Sequence, residues 1–251
     1  MTMPVPPETV SASSPYEVPR AVLTQSWTQL TYLHWPYDPA VVRPFLPAGV
    51  MPDVMEGSTW VGLIPFAMRR VGVVGLPDLP YVSNFLETNV RLYGVDERGR
   101  RSVVFLSLEA DRLLAVVAAR VGYRLPYMWS SMALHHRNDV LTYATRRRFG
   151  GARSLIRVRV GAEITADPLD HFLTARWGLH SRWYGGTAFA PIAHEPWPLR
   201  RAELLELDDG LITATGLPAP AGAPRVLHSA GVTVRIGRPS RLGGTQTQGR
   251  A

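Results

Sequence analysis

The stretch NFLETNVRLYGVDERGRRSVVFLSLE, residues 84–109, decides the fold class because it holds two strand-like runs on either side of a turn. Apolar and β-branched residues dominate 84–95 and 101–109, and residues 96–100 between them include a glycine. Two such runs joined by a short glycine-containing loop predict an antiparallel β-hairpin.

The first strand of this hairpin has one strongly polar face. Side chains alternate across a strand, so Glu87, Asn89 and Arg91 share a face with Phe85 and Tyr93. One interpretation is a solvated face that carries an ion pair. The other is a polar lining inside a barrel. The periodicity favours the first interpretation without deciding between them.

Outside the hairpin the chain reads as more strands and a few short helices. Asp38-Pro39 and Asp167-Pro168 each predict a helix start, with Asp as the cap and Pro in the first turn. Asp111 predicts a further helix over 112–123, and Pro65 marks an edge or a bulge. The predicted further strands are 26–35, 58–68, 128–136, 140–148, 154–164, 187–193, 199–207 and 226–236. The prediction is an α+β fold, a mainly antiparallel curved sheet that forms a barrel-like core with a few short helices.

The ends of the chain differ in composition from its centre. Residues 1–22 are rich in Pro and Ser and predict a disordered tail, as do residues 241–251. Residues 23–240 are expected to form a single domain. No apolar run reaches the 18 residues of a membrane span, and the N-terminus lacks a signal-peptide pattern, so we expect a cytoplasmic protein with no membrane partner.

Composition excludes several chemistries. The 251 residues contain no Cys, and all 27 basic side chains are Arg, so the chain has no lysine. Thiolate nucleophiles, disulfides and a lysine Schiff base are therefore excluded. The net charge is +7, but the basic residues are scattered along the chain with acidic residues between them, so we expect no nucleic-acid partner. A homo-oligomer is possible. His135 and His136 would face opposite sides of a strand, and no cofactor or metal motif is present, so none is expected.

Eight segments together resemble a known bacterial family. They are YLHWPYDP (32–39), FLPAGVMPD (45–53), WVGLIPFAM (60–68), NFLETNVRLYG (84–94), FLSLEA (105–110), AARVGYRLPY (118–127), HFLTARW (171–177) and LHSAGVTV (227–234). In this order and spacing they resemble the YqjF-type family of unknown function, in the acetoacetate-decarboxylase-like superfamily. The resemblance implies a barrel-like antiparallel sheet that encloses a pocket.

The resemblance also implies where a site would lie. In the decarboxylases a pocket glutamate occupies the position of Glu87, and the Schiff-base lysine occupies the position of Tyr127. Arg120 matches the arginine that ends the helix before that lysine motif. The decarboxylases also have a pocket arginine on their first strand, but this chain has no arginine there, since the position falls near Trp27 or Gln29. An imine mechanism is therefore excluded in this chain by its residues.

These residues predict a pocket for a small or acyl carboxylate or carbonyl compound. Glu87 would be a general acid or base in lyase- or isomerase-type chemistry, and Tyr127 would donate to a carbonyl or enolate oxygen. The predicted ligand contacts are Arg91, Arg120, Asn89 and Trp27. A non-catalytic small-molecule-binding protein is the alternative. A third hypothesis pairs Glu87 with Arg91 or Arg120 as a structural ion pair.

Overall fold

Thirteen strands and two short helices make up the described part of the chain, residues 5–73, 83–112, 125–183 and 185–242 of a computed structural model. The strands are β1 (Leu23–Tyr37), β2 (Val50–Pro52), β3 (Thr59–Val73), β4 (Phe85–Asp96), β5 (Arg101–Ala110), β6 (Tyr127–Arg137), β7 (Val140–Arg147), β8 (Arg153–Glu163), β9 (Gly178–Trp183), β10 (Gly186–His194), β11 (Leu199–Asp209), β12 (Arg225–Ile236) and β13 (Ser240–Arg241). The helices are α1 (Pro39–Val42) and α2 (Pro168–Thr174), and 3-10 turns lie at Arg43–Phe45 and Thr213–Thr215.

Both helices begin at the Asp-Pro pairs that the sequence indicates. The Asp38 side chain caps α1, and Asp167 and Asp170 form a reciprocal capping box at α2. Helix α1 lasts one turn, because Pro44 lacks the N–H that would continue it. The predicted helix 112–123 lies, apart from Arg112, outside the described residues. Neither helix of the described ranges is long and apolar enough to span a membrane.

Nine strands close into a mixed barrel, which confirms the predicted fold class. Their order is β5-β6-β7-β8-β11-β12-β1-β3-β4, and β4 pairs back with β5. Neighbours are antiparallel except β5 and β6, which run parallel. A second layer covers part of the barrel, since β9 pairs with β5, and β10 pairs with β9 and β12.

Pro65 shows how the barrel tolerates a proline in an interior strand. It lies in β3, between β1 and β4, so the expected edge position is wrong. The other expectation, a bulge, is confirmed. The β1–β3 register shifts between Thr28 and Leu33, and Gln29 within this interval has a φ of 52°.

Strand β4 is buried on both faces. Thr88 faces the barrel interior, where its hydroxyl lies 3.0 Å from that of Thr145. On the opposite face Glu87, Asn89 and Arg91 are only 2%, 3% and 6% exposed. Helix α2 and strands β9 and β10 pack at the Arg91–Tyr93 end of this face. The interpretation of this face as solvated is therefore wrong. The alternative, a polar lining inside the barrel, is also wrong, because the face of β4 toward the barrel interior is the one with Thr88.

Residues 5–22 lie against the sheet, which differs from the disordered tail that the sequence predicts. The Glu8 backbone N–H donates to the Gly99 carbonyl at 2.8 Å, and the Ser14 hydroxyl donates to the Ile192 carbonyl at 3.2 Å. A backbone N–H and a serine hydroxyl make these contacts, so a Pro/Ser-rich composition does not exclude them.

The C-terminal part is only partly described. Ser240–Arg241 forms β13 and pairs with β10, which places the first residue of the predicted second tail in the sheet. Residues 243–251 lie outside the described residues.

Candidate active site

Strand register brings Glu87 and Tyr127 together although 40 positions separate them. Leu108 of β5 pairs with Asn89 of β4 on one side and with Tyr127 of β6 on the other. Tyr127 therefore lies two strands from β4, on the row next to Glu87. Its hydroxyl donates to Glu87 Oε2 at 2.8 Å. The two predicted catalytic residues are in direct contact.

The surroundings of Glu87 favour a carboxyl that titrates near neutral pH. Burial raises its pKa to about 7, and the nearby Glu109 carboxyl adds to the increase. Hydrogen bonds from Tyr127 and from Asn89 Nδ2, at 3.4 Å, act in the opposite direction. A pKa near 7 suits a group that both accepts and releases a proton.

Tyr127 remains a hydrogen-bond donor at physiological pH. Burial and the adjacent Glu87 raise its pKa well above the ordinary value of a tyrosine. The neighbouring acid, Glu109, is compensated separately by Arg147, whose Nη2 lies 2.6 Å from Glu109 Oε1. Glu87 itself has no arginine partner among the described residues.

Arg91 is a buried cation without an acidic partner in the described part of the chain. Its Nε donates to Tyr93 Oη at 2.9 Å, and its Nη2 donates to the Leu173 carbonyl at 3.0 Å. Both partners are neutral, and the hypothesis of a Glu87–Arg91 ion pair is therefore wrong for these two residues. A buried guanidinium without a carboxylate favours an anionic ligand as its partner.

Tyr93 and His34 hold Arg91 in place. Tyr93 Oη donates to the Leu173 carbonyl at 3.1 Å and lies 2.5 Å from His34 Nε2. Gly62 makes this contact possible, because a Cβ at that position would lie 3.1 Å from both Tyr93 Oη and the His34 ring. The pKa of His34 is held well below its ordinary value, mainly by burial, so its ring is neutral.

An aromatic layer lies beside this polar row. Trp27 is stacked on Trp197 with ring centroids 6.1 Å apart, and Trp197 meets the Tyr32 ring edge-on at 5.5 Å. The Arg91 guanidinium lies 5.6 Å from the Tyr32 ring centroid. Buried polar atoms without a partner among the described residues occur here: Trp27 Nε1, Tyr32 Oη and Asn89 Oδ1. Buried indole N–H and phenol O–H groups usually have a partner, so these atoms differ from the ordinary pattern of a protein interior.

Of the six predicted site residues, five can be placed. Glu87, Tyr127 and Asn89 form one hydrogen-bonded group, Arg91 lies further along β4, and Trp27 belongs to the aromatic layer. Arg120 lies outside the described residues. The described ranges contain no group of three or more His, Asp or Glu side chains arranged to hold a metal ion.

Sequence reasoning missed Tyr32, His34 and Tyr93. The alternation along β4 already placed Tyr93 on the face of Glu87, so the signal was present. Tyr32 and His34 alternate in the same way on β1. Their proximity to Arg91 depends on how β1, β3 and β4 pair, which a single sequence does not give.

The nine-strand barrel with its few short helices has the acetoacetate-decarboxylase-like fold. It is similar to an acetoacetate decarboxylase-like enzyme from Sphingomonas wittichii RW1 (TM-score 0.62, 14% identity, 92% of this chain and 99% of that one). It is also similar to the enduracididine biosynthesis enzyme MppR with HEPES buffer bound (TM-score 0.62, 16% identity, 88% and 87%). At these identities the likeness concerns the fold alone.

The family follows from the sequence. The model of the DUF2071 family, described as an uncharacterized conserved protein, matches residues 24–233. The chain is 32% identical over 216 residues to the uncharacterized protein YqjF of Bacillus subtilis, covering 83% of this chain and 87% of that protein. The chain belongs to this YqjF-like family, as the resemblance of its segments indicates.

Proposed function

We propose that this protein binds an oxo carboxylate and transfers a proton at the carbon next to its carbonyl group, without a covalent intermediate. The single observation that carries the proposal is the contact between Glu87 and Tyr127 at 2.8 Å, in a buried setting that keeps the pKa of Glu87 at about 7. Arg91 supports it as a buried cation whose described contacts are neutral groups.

The proton transfer uses both members of the pair. Ionised Glu87 takes a proton from the carbon next to the carbonyl, and the electron pair of that C–H bond moves to the carbonyl oxygen to give an enolate. Tyr127 donates its O–H hydrogen bond to that oxygen. Without a ligand, the hydrogen bond from Tyr127 to Glu87 lowers the pKa of Glu87. Turning the hydroxyl toward the ligand therefore makes Glu87 the stronger base.

A carboxylate is the anion that fits Arg91 best. The guanidinium presents planar paired donors to carboxylates. Among structures with the same fold, one of MppR is described as complexed with pyruvate, which is an oxo carboxylate. That description concerns MppR, and it supports the same chemical class here.

Hydrogen–deuterium exchange tests the proposal directly. The protein is incubated in D₂O with pyruvate, 4-oxopentanoate and 5-oxohexanoate, and loss of the proton signals next to each carbonyl is followed by NMR. We expect exchange with at least one acid above the protein-free rate, increasing with pH through about 7 as Glu87 ionises. Glu87→Gln should reduce this exchange to background.

Glu206→Gln on the exposed side of β11 is the matched control and should exchange like the wild type. Exchange that survives in Glu87→Gln would overturn the role of Glu87. Saturable binding without exchange would instead support the alternative of a non-catalytic binding protein. Neither binding nor exchange with any of the three acids would overturn the proposal.

Borohydride trapping tests the absence of a covalent intermediate. The chain has no lysine side chain to form an imine. Treatment with sodium borohydride in the presence of each acid should therefore leave the protein mass unchanged by mass spectrometry. A reduced adduct on a peptide that contains β4 or β6 would contradict the non-covalent mechanism.

A further inference from the structure

The two carboxyl oxygens of Glu87 have different partners. Oε2 accepts a hydrogen bond from the Tyr127 hydroxyl at 2.8 Å, whereas Oε1 lies 3.4 Å from Asn89 Nδ2. The first contact has the length of an ordinary O–H···O hydrogen bond, and the second is longer than a typical N–H···O bond. Oε1 is therefore the less tightly bound oxygen and the one whose partner changes more easily when Glu87 takes up a proton.

Tyr127 keeps Oε2 occupied while no ligand is bound. A phenol has one proton to donate, and burial together with Glu87 keeps the pKa of Tyr127 well above its ordinary value. A proton on Oε2 would point at this hydroxyl, which would then need another acceptor for its own proton. Oε1 is thus the oxygen on which Glu87 carries a proton without losing its contact with Tyr127.

The Asn89 side chain carries a donor and an acceptor in nearly the same shape. Nδ2 faces Glu87, and Oδ1 is buried without a partner among the described residues. Half a turn of the amide exchanges the two atoms. The turn gives up only the 3.4 Å contact and leaves one amide atom unpartnered, as before. In the turned position Oδ1 accepts a hydrogen bond from a protonated Oε1.

The surroundings add no second hydrogen-bonding charge to this contact. Phe66 of β3, directly opposite Glu87, is apolar. The titratable and charged groups on the described elements around Glu87 include Tyr127 on β6, Glu109 on β5 with its partner Arg147 on β7, Asp111 after β5, and Arg91 on β4. Of these only Tyr127 is hydrogen-bonded to Glu87, so Asn89 is the other hydrogen-bond partner of Glu87 in the described part of the chain.

Proton transfer requires that Glu87 keeps its orientation with and without the proton. When the Tyr127 hydroxyl turns to the ligand oxygen, as in the proposed function, Asn89 is the described partner that remains. We propose, building on the proposed function, that Asn89 is a positioning residue whose amide turns with the proton: Nδ2 donates to the carboxylate of Glu87, and Oδ1 accepts from the acid at Oε1. The proton that leaves the ligand carbon lies on Oε1 until it returns to the carbon of the enolate.

Neutron diffraction from deuterated crystals at pH 5 and pH 9 tests the turn without a ligand. These pH values lie on either side of the pKa of Glu87, which is about 7. We expect deuterium on Glu87 Oε1 and Asn89 Oδ1 facing it at pH 5. At pH 9 we expect no deuterium on Glu87 and Asn89 Nδ2 facing it. An amide with the same orientation at both pH values, or deuterium on Oε2, would overturn the inference.

Two variants with side chains of the same size as asparagine test the two amide atoms. Asn89→Leu has neither donor nor acceptor, so Glu87 loses this support in both states. Its turnover number for deuterium exchange should be at least tenfold lower than that of the wild type, with KM little changed. Asn89→Asp places a second carboxyl beside Glu87, so the two acids share a proton, and the pH midpoint of exchange should increase by about one unit or more.

Unchanged exchange in Asn89→Leu, or an unchanged or lower midpoint in Asn89→Asp, would overturn the role of Asn89. Glu206→Gln on the exposed side of β11 is the matched control and should keep the turnover number and the midpoint of the wild type. Urea unfolding establishes that each variant folds. If Asn89→Leu does not fold, the neutron structures and Asn89→Asp decide the inference.

The neutron structures also distinguish this inference from the proposed function. Glu87-dependent exchange in the wild type together with an amide that does not turn would leave the proposed function intact and overturn the inference. An amide that turns, together with no exchange of any of the three acids, would overturn the proposed function and with it the role of Asn89 in proton transfer.

Discussion

Replacing Glu87 by glutamine should stabilise the protein at neutral and alkaline pH. Glu87 is 2% exposed, and burial raises its pKa from 4.5 to about 7. The folded protein thus holds this proton more tightly than the unfolded chain does, so stability falls as pH increases from 4.5 to about 7. The ionised carboxylate costs about 3 kcal/mol above pH 7, and an uncharged side chain of the same shape avoids this cost.

The surroundings of Glu87 can accept a glutamine. The Tyr127 hydroxyl, 2.8 Å from Glu87 Oε2, can donate equally well to an amide oxygen. The new amide N–H can donate to Asn89 Oδ1, which has no partner among the described residues, once the Asn89 amide turns. The number of unpartnered Asn89 atoms therefore stays the same, because Nδ2 takes the place that Oδ1 has in the wild type.

Urea unfolding at pH 5, 6, 7 and 8 measures the effect. The free energy of unfolding of Glu87→Gln should exceed that of the wild type by less than about 1 kcal/mol at pH 5 and by about 3 kcal/mol at pH 8. Glu206→Gln, on the exposed surface, should follow the wild type at every pH. A variant less stable than the wild type at pH 8 would refute the reasoning, because it would mean that the ionised carboxylate stabilises the fold.

Three further substitutions address other parts of the site. Tyr127→Phe removes a hydrogen bond that lowers the pKa of Glu87, so this pKa, followed by carbon NMR, should increase; a decrease would contradict the assigned donor. Gly62→Ala places a methyl group 3.1 Å from Tyr93 Oη, so it should weaken 4-oxopentanoate binding several-fold in calorimetry and reduce the free energy of unfolding by about 1–3 kcal/mol. Unchanged affinity would refute the role of Tyr93 in holding Arg91. Asp53→Asn removes the carboxylate shared by two arginine side chains and should reduce the free energy of unfolding in urea by about 3–5 kcal/mol; a neutral effect would show that these ion pairs do not stabilise the fold.

Local sequence signals correctly predicted the elements that depend on turns and helix caps. The hairpin of 84–109 and the helix starts at Asp38 and Asp167 are present as expected. Turn chemistry and capping depend on neighbouring residues, so one sequence is enough to predict them. The N-terminal segment differs because its contacts are with distant residues, such as Gly99 and Ile192.

The burial of the polar face of β4 could not be read from its alternation. A solvated face and a covered polar face have the same period of two. Helix α2 and strands β9 and β10, which pack at the Arg91–Tyr93 end of this face, follow about 80 to 100 residues later in the chain. Coverage by distant elements is a tertiary property, and this is why the more ordinary interpretation was wrong.

The sequence alone determined that no lysine is available for an imine, that the fold is a curved antiparallel sheet, and that the chain resembles the YqjF-type family. Only the tertiary structure decided that Tyr127 donates to Glu87 and that Arg91 contacts a tyrosine and a carbonyl instead of an acid. Composition and alternation are properties of the chain itself. The Tyr127–Glu87 and Arg91–Leu173 contacts join residues 40 and 82 positions apart, and they form only because β5 pairs in parallel with β6 and α2 packs over β4.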